Sequence, residues 1–356
     1  MVASSGTAPG TLLSGIRSES SVSMFAVRSD GSLVCTTCSG LVVLDPELRQ
    51  IGHASPPSIH RLAIAPDDAM YGLEGESERD HAQLVALSPA GQVRWTAPIA
   101  LAEGAGGLVA GVEGPYVVEA VRASGGSAVT GLAIERFDPA TGERHTVASN
   151  QALLGAAHGG GVFTRESPDA HSATLHRLDA AGTPVWSRTL ASTRINDSLD
   201  LRGAVATPDG GAVVFGVSQG TIDFGDRTLI PDGMGYFVAG LDSAGATRWA
   251  FSPLFRVGYL AVSGNDQILL ATEPNDWNFR FADPALAVAT PAGISRTLNF
   301  TGPGLQQAEG LAVTPDGLVW LQILNSPDPD LGGPSTMHVG DLTFTDPGTY
   351  LFKIVP

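Results

Sequence analysis

Residues 204–217 read AVATPDGGAVVFGV and residues 235–249 read GYFVAGLDSAGATRW, and these two segments decide the fold. Ala204 to Ala206 is a short apolar run closed by Pro208, Asp209 and Gly210; Ala212 to Gly216 is a second run beyond that turn. Asp-Gly between two apolar runs predicts a hairpin, with both residues at positive φ in a type I′ turn. Tyr236 to Leu241 predicts a third strand. Asp242 to Gly245 predicts a turn in which glycine supplies positive φ. Thr247 to Ala250, carrying Trp249, predicts a fourth strand. Four antiparallel strands joined by turns make one blade of a β-propeller.

Both turns recur at blade period. The first appears at Asp30-Gly31, Asp67-Asp68, Glu113-Gly114, Gly159-Gly160, Asp209-Gly210, Asn265-Asp266 and Asp316-Gly317, at intervals of 37, 46, 46, 50, 56 and 51 residues. Blade repeats run about 40 to 50 residues. The second appears as LSPAGQVRW (87–95), FDPATG (137–142), LDAAGTPVW (178–186), LDSAGATRW (241–249) and ATPAG (289–293), with Leu44-Asp45-Pro46 as a degenerate first copy. Seven blades are expected, beginning near Ser23, Arg61, Gly107, Gly155, Gly203, Gly258 and Gly310. The last repeat supplies only three strands, at 310–314, 318–324 and 350–355. The unpartnered run Thr11 to Ile16 is therefore expected to provide the fourth strand and close the ring, which removes exposed sheet edges. The chain then divides into a flexible tether, residues 1–10, and one all-β seven-bladed propeller, residues 11–356.

The DPATG and LDxxGxxxW segments resemble the PQQ-like, quinoprotein-type propeller repeats of secreted bacterial proteins. Residues 220–225 (GTIDFG) with 236–242 (YFVAGLD), and 340–344 (GDLTF) with 350–354 (YLFKI), resemble propeller repeats abundant in myxobacteria. The resemblance covers nearly the whole chain, but its residues are scaffold residues, so it implies fold and compartment rather than activity. The quinone chemistry of dehydrogenases with such repeats is not implied: they have eight blades, an adjacent Cys-Cys pair and a Trp floor. This chain has seven repeats, and its two cysteines stand apart as Cys35 and Cys38.

A net charge of −16 and the lack of an Arg/Lys cluster argue against nucleic acid and anionic membrane surfaces as partners. No apolar run approaches the roughly 18 residues that span a bilayer. Residues 1–23 lack the apolar core of a signal peptide. The tether suits a secreted, periplasmic or lipid-anchored protein whose leader has been removed, with a cytoplasmic start as the alternative. Lys353 is the sole lysine, which makes Schiff-base chemistry an unpromising reading.

Loops between second and third strands lengthen in the later blades: 218–235, 273–285 and 325–348. In a propeller they share a rim with the inter-blade connections, and a face that grows its loops is commonly the working face. Trp277, with Asp276 and Arg280, is the expected partner contact there, since interface anchors favour Trp. The starts of the first strands face the axis and carry His60, Arg61, Arg202, Tyr259 and Glu309. Two guanidiniums near one axis would clamp a carboxylate or phosphate. The competing reading pairs Arg61 and Arg202 with Glu309 and Asp200. Asp197, Asp200 and Asp276 are the candidate Ca²⁺ ligands, against a reading of solvated turn aspartates; no other cofactor is expected. None of the eight histidines has zinc-site spacing. Cys35-Thr-Thr-Cys38 ends a strand rather than opening a helix, so a local disulfide or two buried thiols are expected instead of a redox centre. Gly216 to Gly220 matches GxSxG, but β-like sequence follows where a nucleophile elbow needs a helix.

The sequence thus reads as a monomeric, non-enzymatic binding or scaffold propeller of the bacterial cell envelope or exterior. Its partner would be a protein or carbohydrate bound through the long-loop face. The alternative is a Ca²⁺-dependent hydrolase, lactonase or lyase with its site at the central channel.

Overall fold

A computed structural model of the chain describes residues 12–17, 24–37, 40–54, 59–75, 82–101, 107–122, 129–192, 198–231, 235–264, 266–272, 284–303, 305–314, 317–327 and 335–354. They form seven four-stranded antiparallel blades with no helix among them. Blade 1 runs from its first strand Met24–Val27 to its fourth, Gln50–Ala54. Blade 2 runs from Ile59–Ile64 to Val93–Pro98, and blade 3 from Leu108–Gly111 to Arg144–Ser149. Blade 4 runs from Ala152–Ala156 to Pro184–Ser192, blade 5 from Leu199–Ala206 to Thr247–Phe251, and blade 6 from Val257–Val262 to Gly293–Thr301. Each first strand lies against the first strand of the next blade, and that of blade 7, Leu305–Val313, returns to that of blade 1. The ring is closed.

Closure is made by the strand expected to make it. Leu12–Arg17 pairs with Gly348–Ile354, from Leu12 opposite Ile354 to Arg17 opposite Tyr350, and completes blade 7 beside Val319–Ser326. The two ends of the chain therefore share one sheet. Lys353 Nζ adds a seam to the neighbouring blade by donating to the Pro46 carbonyl at 2.7 Å.

Alternate residues of each middle strand point into the gaps between blades. Tyr71, Leu73, Leu84 and Ala86 of blade 2 meet Val117 and Phe137 of blade 3, while Phe163, Leu175 and Trp186 of blade 4 meet Val214, Phe237 and Leu241 of blade 5. Each such side chain, fully buried, stabilises by about 1.5–3 kcal/mol.

The first turn differs in type from the expectation. Gly210 N donates to Thr207 O at 3.0 Å and Thr207 N to Gly211 O at 3.0 Å, and only Gly210 (φ 83°) has positive φ. This is a type I turn followed by one left-handed residue. The Asp209 carboxylate accepts from Gly211 N, and a carboxylate that bonds its own turn needs no positive φ at the aspartate. The third-to-fourth-strand turn of the same blade has this build. Asp242 Oδ1 accepts from Ala244 N and Ala246 N, both at 2.9 Å, while Gly245 takes φ 82°.

Two of the three long loops are structural fasteners. Ile222–Asp223 and Thr228–Leu229, from the blade 5 loop, form a hairpin that pairs with the outer strand of blade 4. Met337–Val339 and Leu342–Phe344, from the blade 7 loop, do the same to blade 6. Ile222, Phe224, Met337 and Val339 are buried by this. Asp226 ties the first hairpin down, pairing with Arg188 of blade 4 and accepting from Thr247 N of blade 5 at 3.0 Å. The hairpins satisfy outer-strand backbone groups that would otherwise stand unpaired at an edge. In the third loop, residues 273–283 lie outside the described residues.

Candidate functional site at the axial mouth

In blades 2, 5, 6 and 7 the first strand carries a β-bulge at the same register, between the fourth and fifth residue pairs counted from the first turn. The bulged residues are His60, Arg202, Gly258 and Glu309. A bulge leaves one residue out of the ladder and re-aims its side chain. The residue before each bulge, Ile59, Leu201, Val257 and Ala308, is buried and anchors the strand. Since first strands start at the face bearing the inter-blade connections, His60, Arg202 and Glu309 stand at one level of the ring, at one mouth of the axis. Arg61 and Tyr259 directly follow two of the bulges and re-enter the ladder opposite Leu73 and Ala271. His60, Arg202 and Glu309 thus share the bulge position, and Arg61 and Tyr259 the position directly after it. The bulge that groups them is invisible to residue spacing alone.

Two of these groups are held by the chain itself. Arg202 Nε lies 3.5 Å from Asp200 Oδ2, and its guanidinium sits over the Tyr236 ring at 5.9 Å. The other Asp200 oxygen accepts from Arg165 of blade 4, which also donates to the Leu201 carbonyl. Two guanidiniums therefore share one carboxylate, leaving the cluster net positive. Glu309 is half-buried and accepts from Gln322 Nε2 at 2.9 Å. Burial pushes its carboxyl above the ordinary glutamate value, the Gln322 bond working weakly against this. The mouth combines a positive guanidinium cluster with a half-buried carboxyl whose pKa burial raises, and these groups can hydrogen-bond a polar ligand.

Asp200, a candidate calcium ligand, is engaged by the two arginines. Asp197, Asp276, Trp277, Arg280 and Cys38 lie outside the described residues, and among the described ones no three His, Cys, Asp or Glu side chains converge on a point. Cys35 is a free, buried thiol, and burial pushes its pKa up to about 12. Ser218, the serine of the GxSxG match, is buried and donates to Gly220 O at 3.2 Å, so it serves the fold.

Sequence reading missed two polar sets in the sheets. His176 Nδ1 lies 2.8 Å from the exposed Ser187 hydroxyl, and its Nε2 lies 3.6 Å from Glu166. Glu119 and Glu135 are both buried in blade 3, held by Arg144 at 3.0 Å and by the Thr146 hydroxyl at 2.8 Å. Burial raises the Glu119 carboxyl pKa, with Arg144 opposing. Neither set has a local motif, because its members are joined across strands.

No family model matches the chain, and no curated protein matches it. Solved structures do. An oligogalacturonate lyase from Vibrio parahaemolyticus is 13% identical, with 95% of this chain and 91% of that one covered, at a TM-score of 0.52. An oligogalacturonate lyase in complex with manganese is 13% identical, with 100% and 96% covered, also at 0.52. A prolyl endopeptidase is 11% identical over 93% of this chain and 50% of its own, at 0.59. At these identities the likeness is one of fold. Among the described residues no helix is long and apolar enough to cross a membrane.

Proposed function

We propose that the chain is a non-enzymatic binding propeller of the bacterial cell envelope or exterior, built from PQQ-like repeats, and that it engages its partner with the face carrying the inter-blade connections. The observation that supports this is the level of bulges at the axial mouth, where Arg202 is fixed by Asp200 and Tyr236, and Glu309 by Gln322. Groups fixed before the ligand arrives lose little freedom on binding, which favours recognition. The test compares cross-linking of wild type and Arg202→Glu to envelope extract, with the bound species identified by mass spectrometry. A partner retained by wild type and lost from the variant at unchanged Tm supports the reading; equal retention overturns it.

A second reading, a metal-dependent hydrolase, lactonase or lyase acting at the channel, is favoured by Glu309, whose raised pKa suits a proton donor. Metal analysis and a thermal melt with and without EDTA separate the two. Stoichiometric Ca²⁺ or Zn²⁺ with a large fall in Tm selects the enzyme.

A further inference from the structure

Between blades 1 and 2 lies a cleft of about 240 Å³, and a single repeat position accounts for it. In blades 2, 4 and 5 the fourth strand carries Trp95, Trp186 and Trp249, each eight residues after the leucine that leads the turn. Across the sheet they pair with Ala86, Arg177 and Gly240. Blade 1 keeps both spacing and pairing: eight residues after Leu44 stands Gly52, opposite Val43. Its glycine leaves the tryptophan slot without an indole. The residue that packs on the indole is reduced as well. Tyr71 lies 6.2 Å from Trp95 at 43°, and Phe163 lies 6.1 Å from Trp186 at 41°. At that register blade 1 has Val34.

The surroundings of the slot are otherwise intact. Gly91 of the blade 2 turn closes one side, as Gly142 does over Trp95, and Val34, Leu41, Val43 and Met70 provide apolar walls. One end differs. Where Trp95 Nε1 donates to the Pro139 carbonyl, the equivalent Pro89 carbonyl accepts from Arg28, whose Nη2 also lies 3.3 Å from Met70 Sδ. Arg28 Nε is buried without a hydrogen-bond partner. The nearby Asp30 carboxylate, close enough to feel the Arg28 charge, bonds Ser32 N at 2.9 Å. Arg28 thus presents a cation to an apolar slot, with neutral acceptors for its described hydrogen bonds.

We propose that this cleft binds a planar aromatic ligand of about indole size carrying an acidic group. The ring takes the place of the absent tryptophan and the carboxylate meets Arg28. Three other blades show that the same slot accepts an indole. A cavity of about 150 Å³ already holds benzene, so one of about 240 Å³ suits a bicyclic ring. A guanidinium bound to a carboxylate within apolar walls gains from the low local dielectric. This inference is independent of the partner surface proposed above.

Titration with indole-3-acetate and with neutral indole, by calorimetry and thermal melt, tests it. Saturating indole-3-acetate should raise the wild-type Tm by about 3 °C. Arg28→Gln should weaken the acid at least about tenfold and leave indole within about twofold. Gly52→Trp should abolish binding of both and raise the ligand-free Tm. Gly52 has ordinary φ, and a Cβ there would meet Val43 at 3.4 Å, so a side chain has room to start. Gly52→Leu gives the same block with a smaller group should the tryptophan variant fail to fold. Absence of heat and of any Tm shift with wild type at about millimolar ligand overturns the proposal. So does undiminished binding in a folded Gly52 variant, or equal affinity of Arg28→Gln for the acid.

Discussion

Trp95 of blade 2 donates its indole N–H to the Pro139 carbonyl of blade 3 at 3.0 Å, and the same ring lies 3.0 Å from where a Cβ on Gly142 would stand. The relationship recurs two gaps further round, between blades 4 and 5, where a Cβ on Gly245 would stand 2.8 Å from Trp186. In these two gaps the glycine and the tryptophan of the repeat motif are therefore partners across blades, the glycine of one blade covering the indole of the blade before it. Both demands on the glycine act together, since Gly142 holds φ 72° and Gly245 φ 82°. Trp95→Ala should cost about 3–5 kcal/mol. Gly142→Ala should cost about 1–2 kcal/mol from backbone strain alone, and more while the indole is present. In urea denaturation the double variant should lose less than the sum of the singles, because the methyl has room once the ring has gone. Strict additivity would show that the two residues do not act on each other.

That pairing explains what the sequence could and could not say. The turn motif and Trp95, Trp186 and Trp249 were legible because a blade is a local unit and its period is written along the chain. Ring closure was legible for the same reason: the last repeat lacked one strand and the first residues offered one. The bulges were not, since a bulge shows only when two strands are set side by side, although His60, Arg202 and Glu309 could be picked out individually. The hairpins were missed because Ile222, Phe224 and Met337 read as loop residues until an outer strand of another blade stands beside them. The acidic residues of the first hairpin serve it in turn: Asp223 accepts from Gly225 N at 2.6 Å and Asp226 pairs with Arg188.

The hairpins should behave as part of the core. Phe224 is fully buried and packs edge-on against Phe237 at 6.0 Å. Phe224→Ala should cost about 3–5 kcal/mol and release hydrogen-exchange protection along 191–192, where the hairpin pairs. Ile230, 71% exposed beyond the same hairpin, gives the contrast: Ile230→Ser should change stability by about 0.5 kcal/mol or less. If Phe224→Ala is equally mild, the hairpin is an appendage and not part of the core.

The closing strand allows a sharper test by truncation. Removing residues 1–11 leaves the five paired registers of Leu12–Arg17 with Gly348–Ile354 in place. Removing residues 1–17 exposes the edge of Gly348–Ile354. At about 1 kcal/mol for each backbone hydrogen bond lost, the longer deletion should cost roughly 5 kcal/mol and broaden the melt, while the shorter leaves Tm within about 1 °C. Equal melts for the two truncations would remove the strand from the ring.

Two carboxylates should give opposite pH signatures. The Thr207 hydroxyl first, and Arg248 after it, hold the Asp209 pKa down to about 2. A folded pKa below the unfolded value of about 3.9 means stability that is present above that value and lost as pH falls towards about 2. Asp209 is largely solvated, so Asp209→Asn should cost only about 0.5 kcal/mol near neutrality and nothing below about pH 2. Glu309 runs the other way. Burial raises its pKa, so the folded state holds the proton more tightly, and stability falls as pH rises through the ordinary carboxyl value of about 4.3 towards the raised one. Glu309→Gln keeps the shape and removes that penalty. Its Tm gain over wild type should be larger at about pH 8 than at about pH 4, provided that Gln322 accommodates the amide. A gain independent of pH would mean that the Glu309 carboxyl titrates alike in both states and that burial does not govern it.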